Sequence, residues 1–84
     1  MARVTGQEFL EECRRFREML SEAKWTTEDW WNAFRALGWQ LTKVDPADKK
    51  ENKMCVNIFE SCQTELVMRT AIVETQPLRD LTEV

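Results

Sequence analysis

Residues 54–74 read MCVNIFESCQTELVMRTAIVE, and the fold class turns on how this run is divided. Alternation splits it in two. In Met54–Glu60, the side chains of Met54, Val56 and Ile58 point one way, and those of Cys55, Asn57 and Phe59 the other. From Thr64 to Glu74, Leu66, Met68 and Ile72 oppose Val67, Ala71 and Val73. Glu60-Ser61-Cys62-Gln63 then serves as a turn, although it lacks a glycine. A helix through Phe59, Cys62, Leu66 and Val73 is the competing reading. The β-branched load of Thr64, Val67, Thr70, Ile72, Val73 and Thr75 favours strands. The expectation is two strands joined as a hairpin.

Upstream, Trp39 to Val44 alternates Trp39 and Leu41 with Gln40 and Thr42, which predicts a further strand stopped by Asp45-Pro46. Ala47 to Lys53 is a charged run that reads as a loop. Before it, Trp25 to Trp39 carries both ends of a short helix. Thr26 suits the N-cap, and Glu28 and Asp29 place negative charge on the first turn. Trp25 and Trp30 occupy the two positions of a hydrophobic staple. Gly38 suits the residue just past the end, with Trp39 folding back on Phe34. The helix is expected over residues 27–37, burying Trp30, Ala33, Phe34 and Leu37. The first helix opens with a capping box, Thr5 with Glu8, and runs to about Ala23. Phe9, Cys13, Phe16, Leu20 and Ala23 form its apolar face. The expected fold is α+β in the order ααβββ: two N-terminal helices packed on a three-stranded antiparallel sheet. All 84 residues form one small domain, with 76–84 a flexible or short-helical tail.

Composition narrows the function. The net charge is −3 and no block is strongly basic, which argues against binding driven by nucleic-acid phosphates. No apolar run approaches a membrane span, and the first eight residues lack the apolar core of a signal peptide. The three cysteines, Cys13, Cys55 and Cys62, form no CxxC pair and show no metal-ligand spacing. They suit a cytoplasmic protein with reduced thiols acting as small hydrophobes. The chain has no histidine and no tyrosine, so the usual general base and the commonest metal ligand are missing. Its two glycines are both assigned to helix ends, leaving none for a phosphate-cradling loop. No catalytic residue, metal or cofactor is expected.

What remains is a small protein that works by binding another protein, or a second copy of itself. An inhibitor, an immunity-type protein, an adaptor or a small subunit would fit. Trp31, about 100° from Trp30 around the helix, is left over by capping and core. Phe59, Val67 and Val73 lie on the outer face of the expected sheet, which is apolar for open water. These four are the candidate contact residues, and the sheet edges offer a second route by strand addition. The alternative is a small-molecule pocket between helices and sheet, lined by Trp30, Phe34, Leu41 and Met68. The final Thr82-Glu83-Val84 also fits a C-terminal carboxylate motif that docks by strand addition.

Overall fold

The computed structural model describes the backbone of residues 3–82 and the side chains of residues 3–74. Three helices follow one another: α1 (Gly6–Leu20), α2 (Thr27–Leu41) and α3 (Lys49–Thr82). Among the described residues there is no sheet. The sole extended pairing among the described residues is a parallel bridge between Val4 and Val44, where the Val4 N–H donates to the Lys43 carbonyl at 3.1 Å. The α+β expectation is therefore corrected to a small all-helical bundle, and all three expected strands are lost.

The two later strands are one helix. Cys55, Cys62 and Leu66 are buried on a single stripe of α3, with Ile58 and Phe59 half-buried beside them. That spacing meets two neighbouring helices, and its burial outweighs a β-branched penalty of only about 0.7 kcal/mol or less per residue. The expected turn at residues 60–63 becomes the middle of α3. There, Ser61 Oγ donates to the Asn57 carbonyl at 3.2 Å and Thr64 Oγ1 to the Glu60 carbonyl at 3.1 Å, so both hydroxyls are satisfied inside the helix. The charged run expected as a loop holds the start of α3. Asp48 Oδ1 accepts from the Glu51 N–H at 3.1 Å, an N-cap bond. α3 continues to Thr82, so its backbone takes in residues 76–82. The motif at 82–84 extends outside the described residues.

The first expected strand is lost because α2 does not stop at Gly38. The helix runs on to Leu41, and no glycine among the described residues has a positive φ. Carrying Gly38 through a helix costs about 1 kcal/mol relative to alanine, and the Phe59 ring packs over it. A Cβ at Gly38 would lie 3.4 Å from Phe59 Cζ. Thr42 closes the helix, its hydroxyl donating to the Trp39 carbonyl at 2.6 Å.

The helix starts follow the sequence closely, whereas α1 ends at Leu20, short of the expected Ala23, which is exposed beyond it. Thr26 and Asp29 form a reciprocal capping box, with N–H···O distances of 3.1 and 3.0 Å. Thr5 caps α1 by accepting from the Glu8 N–H at 3.1 Å. The Gly6 N–H, another free donor of that first turn, donates to Glu51 Oε1 at 3.0 Å. This contact brings the start of α3 against the start of α1. Further along, Arg17 Nε meets Glu65 Oε2 at 2.8 Å, so α3 runs parallel to α1. α2 runs the other way, since Gln40 reaches Glu12 and Phe34 packs on Phe16 at 5.9 Å between ring centroids. The core is aromatic at its centre, with Phe34 stacked on Phe59 at 4.6 Å and 15°.

Candidate functional site

α3 outlasts the helices it packs on. Its last buried residue is Leu66, level with the end of α1, and the helix continues for four more turns. Before this point its outer face is polar apart from Met54 in the first turns, with exposed Asn57, Glu60, Ser61 and Thr64. Beyond it the face becomes apolar. Val67 is 51% exposed, Met68 61%, and Ile72 and Val73 are exposed as well. Val73 prolongs the buried stripe of Cys62 and Leu66, while Val67 and Met68 turn about 100° and 200° away from Leu66. Arg69 and Glu74 share this stretch, but Val67, Met68, Ile72 and Val73 spread apolar surface around most of the helix, which usually belongs inside a structure. Here that stretch stands in water.

The second feature is a groove along α1 and α2, on the side away from α3, enclosing about 400 Å³. Phe16, Met19, Ala33, Ala36 and Leu37 form its apolar part. Glu12, Arg15, Trp39 and Gln40 form its polar rim and one aromatic wall. The two alanines make the floor low enough for another backbone to approach. Trp39 is 65% exposed, because continuing the helix through Gly38 turns this ring outward. The Gln40 Oε1 atom is buried with no hydrogen-bond partner among the described residues, while its Nε2 donates to Glu12 Oε1 at 3.4 Å.

The four candidate contact residues fall in two places. Trp31 is half-buried and stands edge-on to Phe34 at 6.1 Å. Phe59 is half-buried over Gly38 and stacked on the same Phe34. Both belong to the margin of the aromatic core. Val67 and Val73 lie on the projecting part of α3, about 120° apart around its axis. The structure thus joins Trp31 with Phe59, and separates that pair from the two valines. Of the residues expected around a small-molecule pocket, Trp30 and Phe34 are packed in the core, Leu41 is half-buried and Met68 is exposed on α3. Among the described residues no sheet closes that pocket; the α1–α2 groove is one of several open surface clefts, another of about 530 Å³ being lined by Glu60, Gln63, Thr64, Val67 and Met68. The exposure of Trp39 is not legible in the sequence, because its position after Gly38 reads as the lock of a helix end. The one sequence signal for it was the tryptophan excess itself.

The cysteines are buried between helices. The Cys13 thiol is hydrogen-bonded to Cys62 and held well above the ordinary thiol range, first by that bond and then by burial. Cys62 is lowered, first by the same bond from Cys13, against the effect of burial and with help from Arg17. Burial pushes Cys55 up, aided by Glu51, and its Sγ lies 4.0 Å from the Gly6 carbonyl oxygen. Among the described residues no three cysteine or acidic side chains gather as metal ligands. No helix among them is long and apolar enough to cross a membrane. Compared with protein-family models, curated proteins and solved structures, the chain matches none.

Proposed function

We propose that this chain is a non-catalytic protein-binding module, of the inhibitor, immunity-type, adaptor or small-subunit kind, that docks through the projecting part of α3. The observation behind this is the switch of the α3 outer face from polar to apolar at the point where the helix leaves α1 and α2. A partner helix laid across Val67 and Met68 would cover the apolar face that α3 leaves in solvent. The partner is a protein, and neither nucleic acid nor membrane is invoked. A cytoplasmic setting suits the three unpaired buried thiols.

Affinity capture with the wild-type chain and with Met68→Arg tests the reading. Met68 is exposed, so the variant should keep its helicity by circular dichroism while losing the specifically captured protein. Identical capture by the two chains would sink the proposal. A second reading, small-molecule binding, has the groove of about 400 Å³ in its favour. A thermal shift with an apolar metabolite, abolished by Trp39→Ala, would support it.

A further inference from the structure

Two of the three cysteines face each other across the seam between α1 and α3, and the packing on either side fixes that register. One turn before the pair, Phe9 lies against Phe59 at 6.5 Å between ring centroids. One turn after it, Arg17 Nε meets Glu65 Oε2 at 2.8 Å. Cys13 lies midway between Phe9 and Arg17, and Cys62 midway between Phe59 and Glu65. The helices are parallel, so the two thiols stand level, and they are hydrogen-bonded to each other. Cys13 is 1% exposed and Cys62 0%. A buried cysteine serving only as a small hydrophobe requires no second sulfur beside it. Cys55, two turns earlier on the same stripe of α3, is the contrast. It is as deeply buried, and its Sγ faces the Gly6 carbonyl oxygen instead. We propose that Cys13 and Cys62 form a reversible disulfide that ties α1 to α3 under oxidising conditions, while Cys55 stays a thiol.

The oxidant is a peroxide, and the reaction balances with hydrogen peroxide. The Cys62 sulfur attacks one peroxide oxygen and the O–O bond breaks. The thiol becomes a sulfenic acid, and one water is released. The Cys13 sulfur then attacks the Cys62 sulfur. The S–S bond forms, the S–O bond breaks, and hydroxide leaves with the Cys13 proton as a second water. Two electrons pass from the thiols to the peroxide. Cys62 reacts first because the bond from Cys13 and the nearby Arg17 favour its thiolate. Burial confines the reaction to brief openings of the seam and selects a small oxidant over a bulky one. The new bond closes a loop of about 50 residues that contains all of α2. It sits one turn before Leu66, where α3 leaves the bundle, so oxidation stiffens the base of the projecting helix.

The test treats the folded wild-type chain with an excess of hydrogen peroxide, with circular dichroism as the control for folding. Thiols are then counted in denaturant, and the mass and a peptide map are recorded. The chain should lose two of its three thiols and two hydrogens of mass, with no species heavier than one chain of 10.0 kDa. The map should link Cys13 to Cys62. Dithiothreitol should restore all three thiols. The oxidised chain should melt about 5 °C or more above the reduced one. Cys55→Ala should form the same bridge. A folded chain that keeps all three thiols would overturn the proposal. So would a bridge that includes Cys55 or joins two chains, or a Cys62 that oxidises to the sulfinic acid without bridging. A bridge that appears only once helicity is lost, or that lowers the melting temperature, would overturn it as well.

Discussion

Gly6 and Gly38 both look like helix punctuation in the sequence; the structure uses Gly6 for close approach and carries Gly38 inside α2. A Cβ on Gly6 would sit 2.5 Å from Glu51 Cγ. Gly6→Ala should therefore push Glu51 away and break its bond to the Gly6 N–H, costing about 1–2 kcal/mol in a urea melt. Gly38 is different: its hypothetical Cβ meets the Phe59 ring at ordinary contact distance, and its backbone is already helical. Gly38→Ala should raise stability by up to about 1 kcal/mol, the usual helix preference for alanine. A fall would mean that the Phe59 ring cannot yield. The same residue explains why Trp39 was misjudged. Glycine after an apolar helix face signals an end only when the chain has nothing to gain by continuing. Here the continuation half-buries Leu41 and gives Phe59 a flat surface on which to lie. Trp31, by contrast, was legible as a residue on the edge of the core face, and its edge-on packing against Phe34 predicts about 1–3 kcal/mol lost in Trp31→Ala.

Elements differ in how well the sequence announced them. α1 and the start of α2 carry capping residues at their N-termini and apolar spacings of three and four, and both signals hold in the structure. α3 sends mixed signals. Its β-branched residues favour strands, and its apolar residues occur on nearly every side, so both periods fit. The arbiter was the missing turn: nothing in Glu60-Ser61-Cys62-Gln63 forces the chain to reverse, and its serine hydroxyl is satisfied within the helix. The two readings differ in a measurable way. As a strand, the segment would place Leu66 and Met68 on one face with similar burial. As a helix, it buries Leu66 completely and leaves Met68 in solvent. Leu66→Ala should cost about 2–5 kcal/mol and Met68→Ala less than about 0.5 kcal/mol, measured at a concentration where the chain is monomeric. Equal losses would contradict the helix. At the start of α3, Asp48→Ala removes the capping bond to the Glu51 N–H and should cost about 1 kcal/mol.

For the molecule as a whole, the three helices are held by a core with cysteines between α1 and α3, and this sets a response to alkali. Unfolded thiols ionise near 9.0, whereas Cys13 and Cys55 in the fold keep their protons at higher pH. Above that value the folded chain binds more protons than the unfolded one, so stability falls as pH rises. Their contribution is complete below about pH 9 and is lost above it. Cys62 acts in the opposite sense but depends on the Cys13 thiol for its largest effect. The denaturation midpoint should therefore drop on the alkaline side of pH 9, and a Cys55→Ala variant should show a shallower drop. An unchanged slope would remove the thiols as its cause. At this scale the division between sequence and structure is plain. Local patterning by itself determined the start of α1, the start of α2 and the core residues Phe9, Cys13, Phe16, Leu20, Trp30, Phe34 and Leu37, because capping bonds and one-sided burial are written within a few residues. Only tertiary packing decided that α2 passes through Gly38, that residues 49–66 form one helix instead of a loop, two strands and a turn, and that Trp39 faces solvent. Each of these depends on what a distant side chain, Phe59 above all, gains by burial, and that gain has no signature in the neighbouring sequence.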